Sequence, residues 1–132
     1  MIRGTTAQFK FKLPYPMDQL QWITIHFWQP GNPNNGLPIY KNKNHCNEPT
    51  PQEICVSLTA EETKLFTDKY KAKVQLRAQQ DDVFGGAVFG STTQLITVYP
   101  MPDDLIDQDT AIESPDSTVI GNIISIDGGT II

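Results

Sequence analysis

The sequence predicts an all-β fold, either an antiparallel β-sandwich or an open barrel, with one short helix. Apolar and polar residues alternate with a period of two in several segments of the first 101 residues, which is typical of half-buried strands. Prolines and glycines separate these segments, and one short stretch between them carries a helix-start signal. The chain has 132 residues, a length that suits one domain with its own hydrophobic core.

The first two strands are predicted at residues 7–13 and 20–28. In the first strand, apolar residues from Ala7 to Leu13 alternate with glutamine and lysine, so one face is apolar and the other faces water. The second strand is predicted to be partly covered on both faces. Its two faces consist of Ile23, Ile25 and Phe27 on one side and of Trp22, Thr24, His26 and Trp28 on the other.

A long loop is predicted from residue 29 to about residue 52. It contains five of the ten prolines and an Asn-Asn-Gly run, a composition that disfavours a helix or an interior strand. Leu37, Ile39 and Tyr40 can form a short edge strand within it. Long loops inside a domain are often functional, so this is the first region in which we expect a contact surface.

A third strand is predicted at residues 54–58, and a short helix follows it directly. Thr59 and Glu62 form a capping box, in which the Thr59 hydroxyl accepts from the Glu62 amide and the Glu62 carboxylate accepts from the Thr59 amide. Asp68 and a new period-two pattern come soon afterwards, so the helix has one or two turns. We expect it to cover one end of the sheets.

The fourth strand, at residues 69–80, has the clearest alternation in the chain. Residues 81–86 form a turn whose two glycines can take positive φ, and further strands are predicted at 88–89 and 93–99. The residues of the fourth strand divide into a core-facing set of Tyr70, Ala72, Val74, Leu76 and Ala78 and an outward set of Lys69, Lys71, Lys73, Gln75 and Arg77.

Charge divides the chain into a body and a tail. All ten basic residues lie between Arg3 and Arg77, whereas residues 102–132 contain seven acidic residues and no base. The first 101 residues therefore carry a net charge of +2 and the remainder −7. The predicted parts are a β-rich body at 1–101, an acidic linker at 102–117 and a C-terminal β arm or hairpin at 118–132.

The C-terminal arm is rich in isoleucine, and Asp127-Gly128 is a hairpin-turn signal. An isolated hairpin is marginally stable in water, so we expect the arm to add to a sheet edge. That edge can belong to its own body or to another subunit, which the linker is long enough to reach. The arm residues expected to bind a partner are Val119, Ile120, Ile123, Ile124, Ile126 and Ile131.

The sequence predicts no catalytic residue, cofactor site or metal site. His26 lies on a strand beside aromatic residues, where a structural imidazole is more common than a general base. His45, Cys46 and Cys55 offer three potential metal ligands, but they lack the paired short spacings of a zinc site and a clear fourth ligand. The two cysteines can pair with each other. We expect a chain without a secretory signal, however, and in such chains free thiols are more usual than a disulfide.

Membrane and nucleic-acid partners are not expected. No run approaches the roughly 20 apolar residues that span a bilayer. Lys71, Lys73 and Arg77 form a basic strip without the interleaved aromatic residues of single-strand binders, and a solvated outer face explains it. Trp22 and Trp28 are either core residues or exposed anchors of a protein interface or a sugar-binding surface.

Five segments follow one another in an informative order. They are RGTT at 3–6, WITI at 22–25, VSLTAEET at 56–63, YKAKVQLR at 70–77 and TQLITVY at 93–99. In this order they resemble small virion proteins of tailed bacteriophages. They also resemble the N-terminal immunoglobulin-like domain of the phage baseplate upper protein family, in which similar turn and strand motifs recur. The resemblance covers roughly residues 3–99.

The resemblance implies an immunoglobulin-like β-sandwich body, to which the residues at 118–132 add the extended C-terminal arm. It implies a non-enzymatic virion protein of the tail, baseplate, neck or head decoration, made in the bacterial host cytoplasm and present in many copies. Its expected partners are other virion proteins or further copies of itself. The resemblance brings no functional residues with it, and the contacts expected in the body, Trp28 and Tyr40, are chosen as aromatic residues that can anchor an interface. The alternative function is a carbohydrate or host-surface adhesion module that uses Trp22, Trp28, Tyr40 and the loop at 29–52.

Overall fold

Two β-sheets pack against each other around one hydrophobic core. The computed structural model describes residues 1–101 and 123–127. Its regular elements are β1 (Ala7–Lys12), β2 (Leu20–Trp28), β3 (Ile39–Asn42), β4 (Cys46–Thr50), β5 (Glu53–Leu58), α1 (Ala60–Thr63), β6 (Ala72–Gln80), β7 (Val88–Gly90), β8 (Gln94–Ile96) and β9 (Ile123–Asp127). Single turns of 3-10 helix lie at Met17–Gln19, Lys43–His45 and Asp82–Phe84.

The strand order is immunoglobulin-like. The first sheet has the order β4-β5-β1-β9, and the second has the order β3-β2-β6-β7, with β8 also pairing with β6. In immunoglobulin lettering, β1 and β5 take the places of strands B and E, and β2 and β6 those of C and F. β3 lies at the C′ position, β4 at D, and β7 and β8 together at G. The structure thus confirms the predicted β-sandwich with one short helix.

The core lies between the facing sides of the two sheets, and buried and outward residues alternate along β1, β2 and β6 as the sequence predicts. Phe9 of β1 meets Phe27 of β2 edge to face, with ring centroids 4.9 Å apart, so the two sheets touch through these rings. The largest fully buried side chains are Phe9, Phe11, Phe27, Phe66, Phe89, Ile23, Ile25, Ile54, Leu58, Leu76, Val56 and Val74.

The predicted loop at 29–52 contains more structure than its composition indicates. It includes β3, at the expected edge position, and also β4, which the sequence prediction missed. β4 pairs with β5 through a shifted register between Asn47 and Thr50. Because β4 is an edge strand, Pro49 needs no ladder hydrogen bond on its outer side, and a proline-rich segment can therefore still form a strand.

The fourth predicted strand begins later than expected, and its assignment of Tyr70 to the core is wrong. β6 starts at Ala72, and Tyr70 is 49% exposed. The backbone carbonyl of Tyr70 accepts a hydrogen bond from the side chain of Gln29, at 2.6 Å, instead of joining a ladder. The ring of Tyr70 lies over Gly31, where an added Cβ would come within 3.3 Å of it.

The last predicted strand, at 93–99, is shorter in the structure. β8 ends at Ile96, and the chain then leaves β6 to reach the start of the molecule. The Tyr99 amide donates to the Met1 carbonyl at 2.8 Å, and the Arg3 amide donates to the Tyr99 carbonyl at 3.1 Å. The predicted strand therefore divides in two: its first part pairs with β6, and its last residue, Tyr99, pairs with the N-terminal residues Met1 and Arg3.

The capping box of α1 is confirmed. The Glu62 amide donates to the Thr59 hydroxyl at 3.1 Å, and the Thr59 amide donates to the Glu62 carboxylate at 2.8 Å. Both carboxylate oxygens of Glu62 also accept from the Lys41 ammonium, at 2.8 and 2.9 Å. This ion pair joins α1 to β3. On the other side of the helix, the buried Thr63 hydroxyl donates to the Thr5 carbonyl at 2.8 Å.

The Glu62 carboxylate predicts an acid-dependent loss of stability. Burial opposes its ionisation, but the hydrogen bonds from Lys41 and Thr59 outweigh this and hold the pKa of Glu62 below its ordinary value of 4.5. A carboxyl whose pKa is lower in the folded state stabilises the fold above the unfolded-state pKa, and that stabilisation is lost as the pH falls through the folded-state pKa.

We therefore expect Glu62→Gln to flatten the fall in unfolding free energy between about pH 6 and pH 3, as measured by urea denaturation at a series of pH values. Glu61→Gln is the matched control, because Glu61 is exposed and its only ion pair among the described residues is a 3.5 Å contact with Lys64. Equal pH profiles for the wild type and Glu62→Gln would contradict the expectation.

Within residues 1–101 and 123–127, no helix has the length and apolar character needed to cross a lipid bilayer.

Candidate functional site

The outer face of the second sheet carries a stack of three rings. His26 of β2 lies between Trp28 on the same strand and Tyr40 on β3. The His26 and Trp28 ring centroids are 4.3 Å apart at 20°, and those of His26 and Tyr40 are 4.7 Å apart at 10°. Tyr40 is the directly opposite neighbour of His26 in the ladder, so the strand register itself produces the stack.

A groove lies beside this stack. It has a volume of about 330 Å³ and is lined by Trp22, Thr24, His26, Tyr40, Gln75 and Arg77; we call it the aromatic groove. Trp22 and His26 are four residues apart on β2, and the smaller Thr24 lies between them. Trp22 is held in place by its indole N–H, which donates to Gln79 at 3.0 Å. The groove is therefore lined by aromatic rings of β2 and β3 and by polar side chains of β2 and β6.

Cations from β6 lie directly beside these aromatic residues. Arg77 is the ladder partner of Thr24, and Lys73 is the ladder partner of Trp28. The sequence prediction treated the basic strip of β6 as lacking interleaved aromatic residues, and that was wrong. The aromatic residues opposite this strip belong to the neighbouring strand β2 and are 45 or more positions away from their ladder partners, so no inspection of β6 alone can find them. They are Trp22, His26 and Trp28.

No carboxylate on the strands balances these cations. The sequences of β2, β3, β6, β7 and β8 contain no aspartate or glutamate. The two ion pairs found among the described residues involve Lys41 and Lys64, and neither involves Arg77 or Lys73. This sheet face thus combines aromatic rings with positive charge.

Burial lowers the pKa of His26 below its ordinary value of 6.5, because the flanking rings keep water from the imidazole. The imidazole is consequently neutral at pH 7 and acts as a flat element of the stack.

The three residues that the sequence offers as potential metal ligands are His45, Cys46 and Cys55. Cys46 and Cys55 are free thiols on the neighbouring strands β4 and β5. Burial, together with the nearby Cys55 and against the effect of Lys41, raises the pKa of Cys46 to about 11, so its sulfur stays protonated at neutral pH. The His45 imidazole accepts a hydrogen bond from the Asn42 amide at 3.1 Å, which caps a local turn. In the described parts of the chain, no three His, Cys, Asp or Glu side chains form a group that could hold a metal ion.

The second candidate surface is the edge of the first sheet. β9 pairs in parallel with β1, with Ile124 opposite Phe9 and Ile126 opposite Phe11. Of the predicted arm residues, Ile123 also belongs to β9, whereas Val119, Ile120 and Ile131 lie outside the described residues. The linker at 102–117 and the turn residue Gly128 lie outside them as well.

The structure therefore separates the predicted contact residues into two groups. Trp28 and Tyr40 lie on the outer face of the second sheet, and Ile123, Ile124 and Ile126 lie on the edge strand of the first sheet. Arg77 and Gln75, which line the aromatic groove, were not predicted as contact residues. The sequence signal that could have identified them is their position on the outward face of the β6 alternation. Comparisons of the chain with protein-family models, curated proteins and solved structures found no match.

Proposed function

We propose that the chain is a non-enzymatic structural protein of a tailed-bacteriophage virion, and that its copies assemble by exchanging the C-terminal strand. The observation that supports assembly is the parallel pairing of β9 with β1. The resemblance of residues 3–99 to phage virion proteins supports the virion as its setting.

Strand exchange follows from the chemistry of a sheet edge. β1 pairs with β5 on one side, and its other side is the edge to which β9 adds. An edge without such a strand presents unpaired N–H and C=O groups, which are a template for another chain. The same β9 segment satisfies those groups equally well when it comes from a neighbouring copy, so exchange replaces identical hydrogen bonds.

The chain between the two partners is long enough for exchange. Met101 and Ile123 are separated by 21 residues. An extended segment of that length spans roughly 70 Å, which exceeds the size of a domain of about 100 residues. Repetition of the contact in a ring or shell adds avidity, so that a weak single contact is sufficient.

Deleting residues 118–132 is expected to leave the body folded and to abolish assembly. The buried side chains between Met1 and Val98 come from both sheets, so this core is expected to hold the body together without the arm. Size-exclusion chromatography with light scattering, at several protein concentrations, measures the mass of the full chain and of the shortened one. We expect a defined oligomer for the full chain and a monomer for the shortened chain.

A full-length variant distinguishes strand pairing from other effects of the deletion. Prolines at both Ile124 and Ser125 remove two consecutive backbone donors from β9, and so block its ladder whichever residue faces β1. The control places prolines at Thr110 and Ala111, outside β9. Assembly that survives prolines in β9, or a wild-type chain that stays monomeric, would contradict strand exchange.

A further inference from the structure

We propose that the aromatic groove binds an acidic saccharide, a sugar chain that carries carboxylate groups. This inference is independent of strand exchange, since the groove lies on the second sheet and β9 joins the first. It assigns a ligand class to a surface that assembly through β9 does not use.

The walls of the groove suit the flat, apolar face of a sugar ring. Trp22 is 36% exposed and Tyr40 is 59% exposed, so both present ring surface to a ligand. Their orientations are fixed before binding, because Trp22 is held by Gln79 and Tyr40 is stacked on His26. Rigid aromatic rings offer a large contact area at a small entropic cost.

The polar part of the groove lining suits sugar hydroxyl groups. Thr24 and Gln75 contribute a hydroxyl and an amide beside the aromatic rings. The Gln75 amide N–H₂ donates to the Ser91 carbonyl at 3.3 Å, which fixes the side chain and directs its remaining groups. A few fixed polar groups among aromatic walls are the usual composition of a small-molecule site. A volume of about 330 Å³ is near the lower end for such sites and fits a short saccharide.

The charge of the face selects an acidic ligand. Arg77 lines the groove, Lys73 lies on the same face, and the strands of this sheet contain no carboxylate. The planar guanidinium of arginine matches a carboxylate in two parallel hydrogen bonds. A single-stranded nucleic acid also combines rings with negative charge, but its binding sites track several successive phosphates with cations. On this face the strands carry two cations, Lys73 and Arg77, and so short a row favours a sugar carboxylate over a nucleic-acid backbone.

The test is titration of the full chain with tetragalacturonate, followed by two-dimensional NMR. The indole N–H signals report directly on binding, because the chain has two tryptophans and only Trp22 lines the groove. We expect the Trp22 signal to shift on binding. We expect the fully methyl-esterified tetramer, which has the same rings without the charge, to bind at least about tenfold more weakly.

Two substitutions test the stacking and charge contributions separately. Trp22→Ala is expected to weaken tetragalacturonate binding about tenfold, whereas Phe84→Ala, which removes an exposed aromatic ring elsewhere, leaves it unchanged. Arg77→Gln is expected to remove the preference for the acid over its ester, and Arg77→Lys to restore part of it. Lys12→Gln, a charge change on the outer face of the first sheet, is the matched control.

Three results would overturn the proposal. One is equal affinity for the acid and its methyl ester. Another is unchanged affinity in Trp22→Ala when thermal melts show that this variant is folded. The third is tighter binding of a thymidine octanucleotide than of tetragalacturonate, which would assign the groove to nucleic acid instead.

Discussion

Phe9→Ala is expected to lower the free energy of unfolding by about 4 kcal/mol. Phe9 is fully buried, and its ring meets Phe27 edge to face at 4.9 Å. The two rings come from different sheets, so truncation leaves a cavity at the point where the sheets touch. The loss combines the transfer free energy of the ring with the cost of that cavity, because a two-sheet core closes only partly over a missing side chain.

Urea denaturation monitored by circular dichroism measures this change, with Phe84→Ala as the control. Phe84 is 51% exposed, so its truncation is expected to cost less than about 0.5 kcal/mol. If Phe9→Ala is too unstable to purify, Phe9→Leu keeps most of the volume and is expected to lose about 1 to 2 kcal/mol. A loss below 1 kcal/mol for Phe9→Ala would show that the sheets do not depend on this contact.

The sandwich could be predicted from the sequence because its inner strands have strictly local patterns. In β1, β2 and β6 each core residue is followed by an outward one, and the side-chain period of a strand is fixed by its geometry. β2 was predicted with its observed bounds for this reason. The capping box of Thr59 and Glu62 is equally local, since its two partners are three residues apart.

The edge strands could not be predicted in the same way. β4 has the sequence CNEPT, with no apolar alternation and with a proline. It is a strand because β5 offers it a ladder, and that pairing is a tertiary interaction that the residues of β4 do not encode. Tyr70 is the opposite case, a residue that fits the strand pattern but does not belong to the strand. Its residue type continues the alternation of β6, but its carbonyl accepts a hydrogen bond from Gln29 instead of joining a ladder.

The β2 residues of the aromatic groove could be predicted from the sequence to share one face, whereas the β6 residues beside them could not. Trp22, Thr24, His26 and Trp28 are outward residues of one strand, so their common face follows from β2 alone. That Arg77 lies opposite Thr24 depends on the register between β2 and β6, which are joined by a connection of more than 40 residues. Register is set by the whole packed sheet, and therefore the pairing of rings with cations appears only in the structure.

Gln29 is the clearest example of a residue whose importance lies entirely in distant contacts. It follows β2 directly and is 4% exposed. Its amide nitrogen donates to the carbonyls of Thr67 and Tyr70, both at 2.6 Å, and its oxygen accepts from the Thr67 amide at 2.8 Å and from Asn32 at 2.7 Å. All four hydrogen-bonding positions of the side-chain amide are thus filled.

Gln29→Met is expected to lower the free energy of unfolding by about 3 kcal/mol. Methionine has a similar length and fills the space, so the change removes hydrogen bonds without a large cavity. It leaves the amide and carbonyl of Thr67 and the carbonyl of Tyr70 without their side-chain partner in a part-buried place. Each unsatisfied buried group costs about 1 to 3 kcal/mol, and partial access of water keeps each of the three near 1 kcal/mol, which gives a sum of about 3 kcal/mol.

The matched control is Gln21→Met near the start of β2, because Gln21 is exposed and the same chemical change there is expected to alter stability by less than about 0.5 kcal/mol. Hydrogen exchange localises the effect, since the Thr67 amide donates to Gln29 and should lose protection before the amides of β6 do.

A second variant, Gln29→Glu, separates the contribution of hydrogen bonding from that of side-chain shape. It keeps the acceptor for the Thr67 amide but places a carboxylate against two carbonyls, so we expect it to be less stable than Gln29→Met at pH 7. Equal stability of the wild type and Gln29→Met would show that water satisfies these groups, and that the connection between β2 and β6 is held by the core alone.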